Sequence, residues 1–238
     1  VYNNERVKMK YTMIILMTLV NSLYGFAGLG LTTGTNSISH PSGASLLLVD
    51  DTEVGSFSYD GFENAVSIGG YLYIDALPIV DLDIELNIKL APYKFSFNQI
   101  AGESSQDSIQ FAWASSSLYM TLQKDLLKTS IPFIAKMRMF AGVGINNHSS
   151  TPMISQQMLE TVMGGPEELS GGIFDSQKMI DYLNENKIKT GGFHLQLGAQ
   201  FKLLVFDSML IYRHVFTDGI TPDTKGFGNL NLRLGYGL

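Results

Sequence analysis

The stretch that decides the fold is Leu82-Asp83-Ile84-Glu85-Leu86-Asn87-Ile88-Lys89-Leu90. Leu82, Ile84, Leu86, Ile88 and Leu90 share one face, and Asp83, Glu85, Asn87 and Lys89 share the other. Side chains that alternate with period two belong to a β-strand with unlike surroundings on its two faces. Pro92 follows and lacks the N–H a central ladder needs, which places it at a bulge or a rim. Beyond it the alternation is expected to resume in the other phase, with Tyr93, Phe95 and Phe97 on the apolar side.

The same pattern recurs outward from this segment. Residues 193–203 set Phe193, Leu195, Leu197, Ala199, Phe201 and Leu203 against His194, Gln196, Gly198, Gln200 and Lys202. Residues 133–145 set Phe133, Met137, Met139, Val143 and Ile145 against Lys136, Arg138, Gly142 and Gly144. Near the end, Leu230, Leu232, Leu234, Tyr236 and Leu238 alternate with Asn231, Arg233, Gly235 and Gly237. Less regular strands are expected over 26–34, 65–75, 109–123 and 208–216. In 109–123 the phase is expected to switch around Ser115–Ser117. In 208–216 it is ambiguous, because Arg213 and His214 are adjacent. The total is eight strands; residues 43–58 leave room for an added hairpin and a count of ten.

The expected connections alternate in length. Those over 35–64, 99–107, 146–189 and 217–226 are longer, and those over 76–81, 124–130 and 205–208 are tight. Long connections at one end and short ones at the other mark an up-and-down barrel across an outer membrane. Apolar faces of about 9–11 residues match the length a tilted strand needs to cross a bilayer. A soluble barrel with its apolar faces turned inward is the competing reading. The mixed charges and glycines of the polar faces favour a narrow lumen over a solvated outer surface.

Composition agrees. Charged residues make up 16% of the 238, below the roughly 25% of soluble domains, while there are 24 Gly, 14 Phe and 11 Tyr. The absence of cysteine excludes disulfides, thiolate metal sites and cysteine nucleophiles. A net charge of −6 offers no basic field for nucleic acid. Residues 1–27 read as a secretory signal peptide with an upstream extension. Arg6, Lys8 and Lys10 precede ten apolar residues, Tyr11–Val20, and Gly25 and Ala27 suit cleavage after Ala27. Ten residues of helix span about 15 Å, half a hydrocarbon core. Loss of this segment removes three basic residues and one acidic, leaving −8 on residues 28–238.

Few motifs carry chemistry. Of His40, His148, His194 and His214, only His194 sits on a clean polar face. A barrel-embedded lipid hydrolase would need a serine and a carboxylate in reach of it, and no G-x-S-x-G singles one out. Asp83 and Glu85 are neighbours on one face and are expected to be counter-ions for Lys89, Lys136, Arg138 and Arg233. With His194, Gln196 and Lys202 these make the expected polar network of the lumen. Asp50-Asp51-Thr52-Glu53 lacks the calcium-loop pattern, so no metal and no cofactor is expected. In the long 146–189 connection, Thr151-Pro152 opens one short helix that ends at Gly164-Gly165. Asp175 caps a second, with Met179, Ile180 and Leu183 on one face.

The segment Gly228-Asn-Leu-Asn-Leu-Arg-Leu-Gly-Tyr-Gly-Leu238 is similar to the terminal strand of small Gram-negative outer-membrane β-barrel proteins, including uncharacterised families of this kind. It alternates, carries an aromatic third from the end and closes on an apolar residue; many members close on Phe where this chain has Leu238. The resemblance covers 26–238 as a pattern. It implies an antiparallel transmembrane barrel; with the strand count and the helices read in 146–189, the expected fold is an eight-stranded antiparallel transmembrane barrel with a helical insertion in one external loop. It also implies contact with outer-membrane lipid and with the barrel-assembly machinery during biogenesis. The function it suggests is non-enzymatic, either envelope-structural or binding a small apolar ligand. A narrow channel for small solutes is the alternative, and a lipid-modifying enzyme a third. An eight-stranded barrel has an interior just filled by side chains, which disfavours a wide pore.

Overall fold

The computed structural model describes residues 27–75, 79–100, 106–131, 134–170, 173–222 and 224–237. The segment read as a signal peptide lies outside these, except for Ala27, which opens the first strand. Ten strands form in chain order: β1 (Ala27–His40), β2 (Gly43–Val49), β3 (Thr52–Tyr59), β4 (Phe62–Ile74), β5 (Asp81–Gln99), β6 (Gln106–Ile131), β7 (Ala135–Ser150), β8 (Ile188–Leu203), β9 (Phe206–Thr217) and β10 (Gly226–Gly237). Two helices, α1 (Gln156–Met163) and α2 (Ser176–Glu185), separate β7 from β8, with a short 3-10 turn over Glu167–Ser170 between them.

Eight strands close a ring in the order β5-β4-β1-β10-β9-β8-β7-β6, and β6 returns to β5. Every pairing is antiparallel, and β1 meets β10 along Gly28–Asn36, so no edge stays open within the ring. The remaining two strands are the added hairpin. β2 pairs with β3, and β3 docks on the far half of β5 through Gly55–Tyr59. Connections at one end are short: β8 turns into β9 through Leu204 and Val205 alone. The β6–β7 hairpin reaches further than the sequence suggests. Residues 124–130 are strand, after a register shift between Asp125 and Leu127.

The outer wall is apolar along most of the ring. Leu31, Val66, Leu86, Val143, Leu197 and Leu234 are all more than half exposed. Phe193 stacks on Phe216 at 4.5 Å and Phe206 tilts against Tyr236 at 5.5 Å, giving the outer face paired aromatics. Such a wall is stable against hydrocarbon and not against water, so the ring spans a bilayer. No helix among the described residues is long and apolar enough to cross a membrane; the crossing is made by strands.

β5 does not change phase at Pro92. Asp83, Glu85, Asn87, Lys89, Ala91, Tyr93, Phe95 and Phe97 are all buried, so one face points inward throughout. The chemistry of that face changes instead, from charged to aromatic. The outer face changes in the opposite sense, from Leu86, Ile88 and Leu90 to the exposed Pro92, Lys94 and Asn98. At about 3.3 Å per residue, 19 residues span roughly 60 Å, twice a hydrocarbon core. The far half of β5 is therefore outside the bilayer and has the polarity of a water-soluble protein. β6 repeats this: Ile109, Phe111 and Trp113 share the inward face with Ser115, Ser117 and Tyr119, so the expected switch there is likewise a change of medium.

Pro92 is placed where its missing donor is harmless. β4 pairs with β5 only as far as Leu90, and β3 takes over at Phe95. On that side the Lys94 carbonyl accepts from Asp60 N at 2.8 Å, and Pro92, two residues away, faces the same gap.

Candidate functional site

The ring and its helical insertion create a filled interior of two layers. Within the bilayer-spanning section the lumen is polar. Glu85 lies at its centre, on β5, with both carboxylate oxygens occupied. Arg213 Nη1 donates to Glu85 Oε1 at 3.0 Å and Nη2 to Oε2 at 3.2 Å. Arg233 Nε donates to Oε2 at 2.9 Å, and its Nη2 closes on the same oxygen. Asn231 and Asn87 donate to Oε1 at 3.1 and 2.5 Å. Asp83 takes the rest of Arg233, with Nη1 at 2.5 Å from Oδ2 and Nη2 at 3.0 Å from Oδ1. All four charged side chains are fully buried, and two positive charges balance two negative. Arg213 also lies over the Tyr119 ring at 4.0 Å, and Arg233 over Tyr71 at 4.7 Å. Buried charges are costly unless paired and hydrogen-bonded, and these four are both.

A second group closes the end with the short turns. Arg138 on β7 donates to Asp81 Oδ2 at 2.5 Å and Asp125 Oδ1 at 3.1 Å, lies 3.4 Å from Asp75, and bonds Gln200. Lys136 pairs with Asp75 at 3.0 Å. Tyr73 donates to Asp207, which also accepts from Gln200 at 2.6 and 2.7 Å. Phe140 lies buried under Arg138, and the absent side chain of Gly198 is what admits its ring: a Cβ there would fall 2.2 Å from the ring.

A third group lies between the central ions and the aromatic layer. Lys89 donates to Ser117, whose Oγ is 2.7 Å from His148 Nδ1. His148 Nε2 is 2.9 Å from Asn146 Oδ1. His194 follows, 3.5 Å from Asn146 and 2.8 Å from Thr121 Oγ1, with its ring edge-on to Tyr119. Lys89 faces the Tyr119 and Phe227 rings at 5.1 and 5.6 Å. Among the described residues it joins no ion pair.

Above this the mouth is shut. Trp113 stacks on Phe62 at 5.9 Å, and Phe95 and Phe97 reach Phe174 at 6.2 and 6.0 Å. Met158, Leu159, Val162 and Met163 of α1 bury into the same cluster, with Met179 and Tyr182 of α2. Ser155 caps α1 and Gly164, at φ 111°, ends it. Thr151-Pro152 therefore lies outside the helix. Asp175 caps α2 by accepting from Gln177 N and Lys178 N. Ile180 turns outward, and Tyr182 takes the inward place beside Met179. Gln156 donates to the Leu48 carbonyl and Gln99 to the Leu169 carbonyl, tying the helical insertion to β2 and β5.

Of the residues singled out in the sequence, Asp83, Glu85, Gln196 and Arg233 meet in the central group. Gln196 Oε1 accepts from Arg213 at 3.0 and 3.2 Å. Lys136 and Arg138 do not reach Asp83 or Glu85; they serve the acidic residues of the rim. Lys89 bonds a serine instead of an acid. His194 sits beside the third group, and Lys202 stands half-buried near Gly237 at the short-turn end. Arg213 was hidden because its inward neighbours on β9 are Met209, Ile211 and Val215, which blur the alternation. His148 was hidden because β7 and β8 extend into the expected loop, leaving only 151–187 as connection.

No known family model and no curated protein matches the chain. Solved structures do overlap it. The attachment invasion locus protein Ail of Yersinia pestis, in complex with the heparin analogue sucrose octasulfate, is 11% identical over 89% of this chain and 98% of its own, at a TM-score of 0.39. The outer membrane protein OprG of Pseudomonas aeruginosa is 9% identical over 91% and 97%, at 0.38. The outer membrane protease OmpT of Escherichia coli is 11% identical over 90% and 94%, at 0.32.

Proposed function

We propose that this protein is a closed, non-enzymatic barrel of the Gram-negative outer membrane, with an envelope-structural role and its external cap as the working surface. Export by the 1–27 segment, with cleavage after Ala27, and insertion by the barrel-assembly machinery belong to the same reading. Outer-membrane lipid is its constant partner.

One observation carries the closure: buried polar side chains occupy the lumen at three successive levels, and an aromatic layer covers them. A narrow channel would need a continuous polar path, and Trp113, Phe62 and Phe227 interrupt it. A small apolar ligand would need space inside the cap, where buried side chains of α1, α2 and the strands pack together among the described residues. An enzyme reading has one observation in its favour, the Ser117–His148–Asn146 series, because a nucleophile, a base and an orienting group in hydrogen-bond reach are the parts of acyl transfer. Ser117 is only 1% exposed and His148 only 3%, and both side chains turn into the filled lumen. Such burial disfavours access by a substrate.

The deciding experiment is electrophoresis of the outer-membrane fraction with and without boiling, followed by planar-bilayer recording. A heat-dependent shift without conductance, and no turnover of ester lipids, supports the reading. Steady single-channel currents would replace it with the channel. Lipid hydrolysis abolished in Ser117→Ala would replace it with the enzyme.

A further inference from the structure

A groove of about 500 Å³ runs across β5, β6, β7 and β8. Leu86 and Leu118 form its apolar side, Ser116, Asn147, Ser149 and Lys189 its polar side, and Ser117 and His148 also line it. Register joins these into two rows, Leu86–Leu118–Asn147–Gly191 and, beginning from the apolar Ile88, Ile88–Ser116–Ser149–Lys189. The next row on the bilayer side, Ile84–Met120–Ile145–Phe193, is wholly apolar. Along β7 the outward residues thus pass from Ile145 to Asn147 to Ser149, and along β8 from Phe193 to Gly191 to Lys189. The groove lies where the wall leaves hydrocarbon for the external interface.

Its charge is one-sided. The chain is acidic overall, yet among the described residues none of those lining the groove is acidic. Lys189 is exposed, and no carboxylate among the described residues forms an ion pair with it. Hydroxyl and amide groups beside it add hydrogen-bond donors. Donors and one cation above an apolar trough match a molecule with an anionic head and a hydrocarbon tail.

We infer that this groove binds an anionic, phosphate-bearing lipid of the outer leaflet. Lys189 and the Ser149 and Asn147 side chains hold the phosphate, and an acyl chain lies along Leu118 and Leu86. The inference rests on the membrane-spanning reading, and its test keeps the two separable.

The full chain, in neutral detergent, is mixed with phosphatidylglycerol, phosphatidylcholine or inorganic phosphate, and bound molecules are counted by native mass spectrometry. Phosphatidylglycerol is expected to be retained over phosphatidylcholine. Lys189→Ala is expected to weaken phosphatidylglycerol retention about fivefold, the worth of one cation at an anionic surface, and to leave phosphatidylcholine unchanged. Asn147→Leu with Ser149→Leu, which removes donors without removing charge, is expected to lower the same selectivity. Equal retention of the two lipids would overturn the proposal, as would selectivity unaffected by Lys189→Ala. Inorganic phosphate bound as well as phosphatidylglycerol would overturn it in favour of a free-anion site. A normal heat shift in each variant shows that the barrel is intact. A wild-type chain without that shift would instead sink the membrane reading.

Discussion

Arg233 Nε donates to Glu85 Oε2 at 2.9 Å, across 148 residues of sequence. β10 and β5 are not neighbours in the ring; β1 and β4 stand between them. The contact therefore crosses the interior and braces the wall independently of the ladder. Glu85 also serves Arg213, so one carboxylate neutralises parts of two guanidinium groups from different strands.

Glu85→Gln is expected to be severe. It leaves Arg213 without a carboxylate and Arg233 with Asp83 alone. Removing one member of a buried ionic group costs about 3–5 kcal/mol. The urea midpoint for loss of the fast-migrating folded band measures this. A cost below about 1 kcal/mol would mean that solvent screens the lumen and the filled interior is wrong.

Lys89→Met is expected to act in the opposite direction. Lys89 is buried, pairs with no acid among the described residues, and touches Ser117 and two aromatic rings. A buried cation without an ion-pair partner carries an uncompensated desolvation cost, which an apolar chain of similar length removes. Stability within about 1 kcal/mol of wild type, or a gain, is expected in the same urea assay. A loss comparable to that of Glu85→Gln would show that the charge on Lys89 holds the central group together.

Gly198→Ala is expected to cost about 1–3 kcal/mol by overpacking. The new methyl would meet ring carbons of Phe140 at 2.2–2.9 Å, and that ring is buried against Arg138. Combining it with Phe140→Leu should recover most of the loss, because the shorter side chain vacates the contact. A double variant no better than the single one would place the clash elsewhere.

The cap and the ring are expected to respond separately. Trp113 is the chain's single tryptophan and lies buried within the cap cluster. Leu159→Asp places a charge in that cluster and unseats α1. Emission from Trp113 should move to longer wavelength and become quenchable by acrylamide, while the heat shift of the barrel persists. Loss of the heat shift would mean that the ring needs its cap in order to close.

Much of this architecture was legible because alternation is a local property. Nine residues around Glu85 suffice to say that one face meets apolar surroundings and the other polar ones, since successive Cβ atoms point to opposite sides. Asp83, Glu85 and Arg233 could be assigned to one interior on that basis. Arg213 could not, because Met209, Ile211 and Val215 face inward beside it and erase the polarity contrast. His148 could not either, because a strand that continues past the bilayer loses its apolar outer face and resembles a loop.

The sequence by itself determined the regular strands around Glu85, Gln196 and Arg233, the side of each that meets lipid, and the cap of Asp175 on its helix. These depend on neighbours within a few residues. Only the tertiary structure decided which acid meets which base. Lys136 and Arg138 go to the rim and Arg213 to Glu85, because partners across a lumen are set by strand stagger and not by spacing along the chain. It also decided that Tyr93, Phe95 and Phe97 share the inward face of Glu85. A strand keeps its phase while the medium around it changes, and where the bilayer ends is a property of the whole ring.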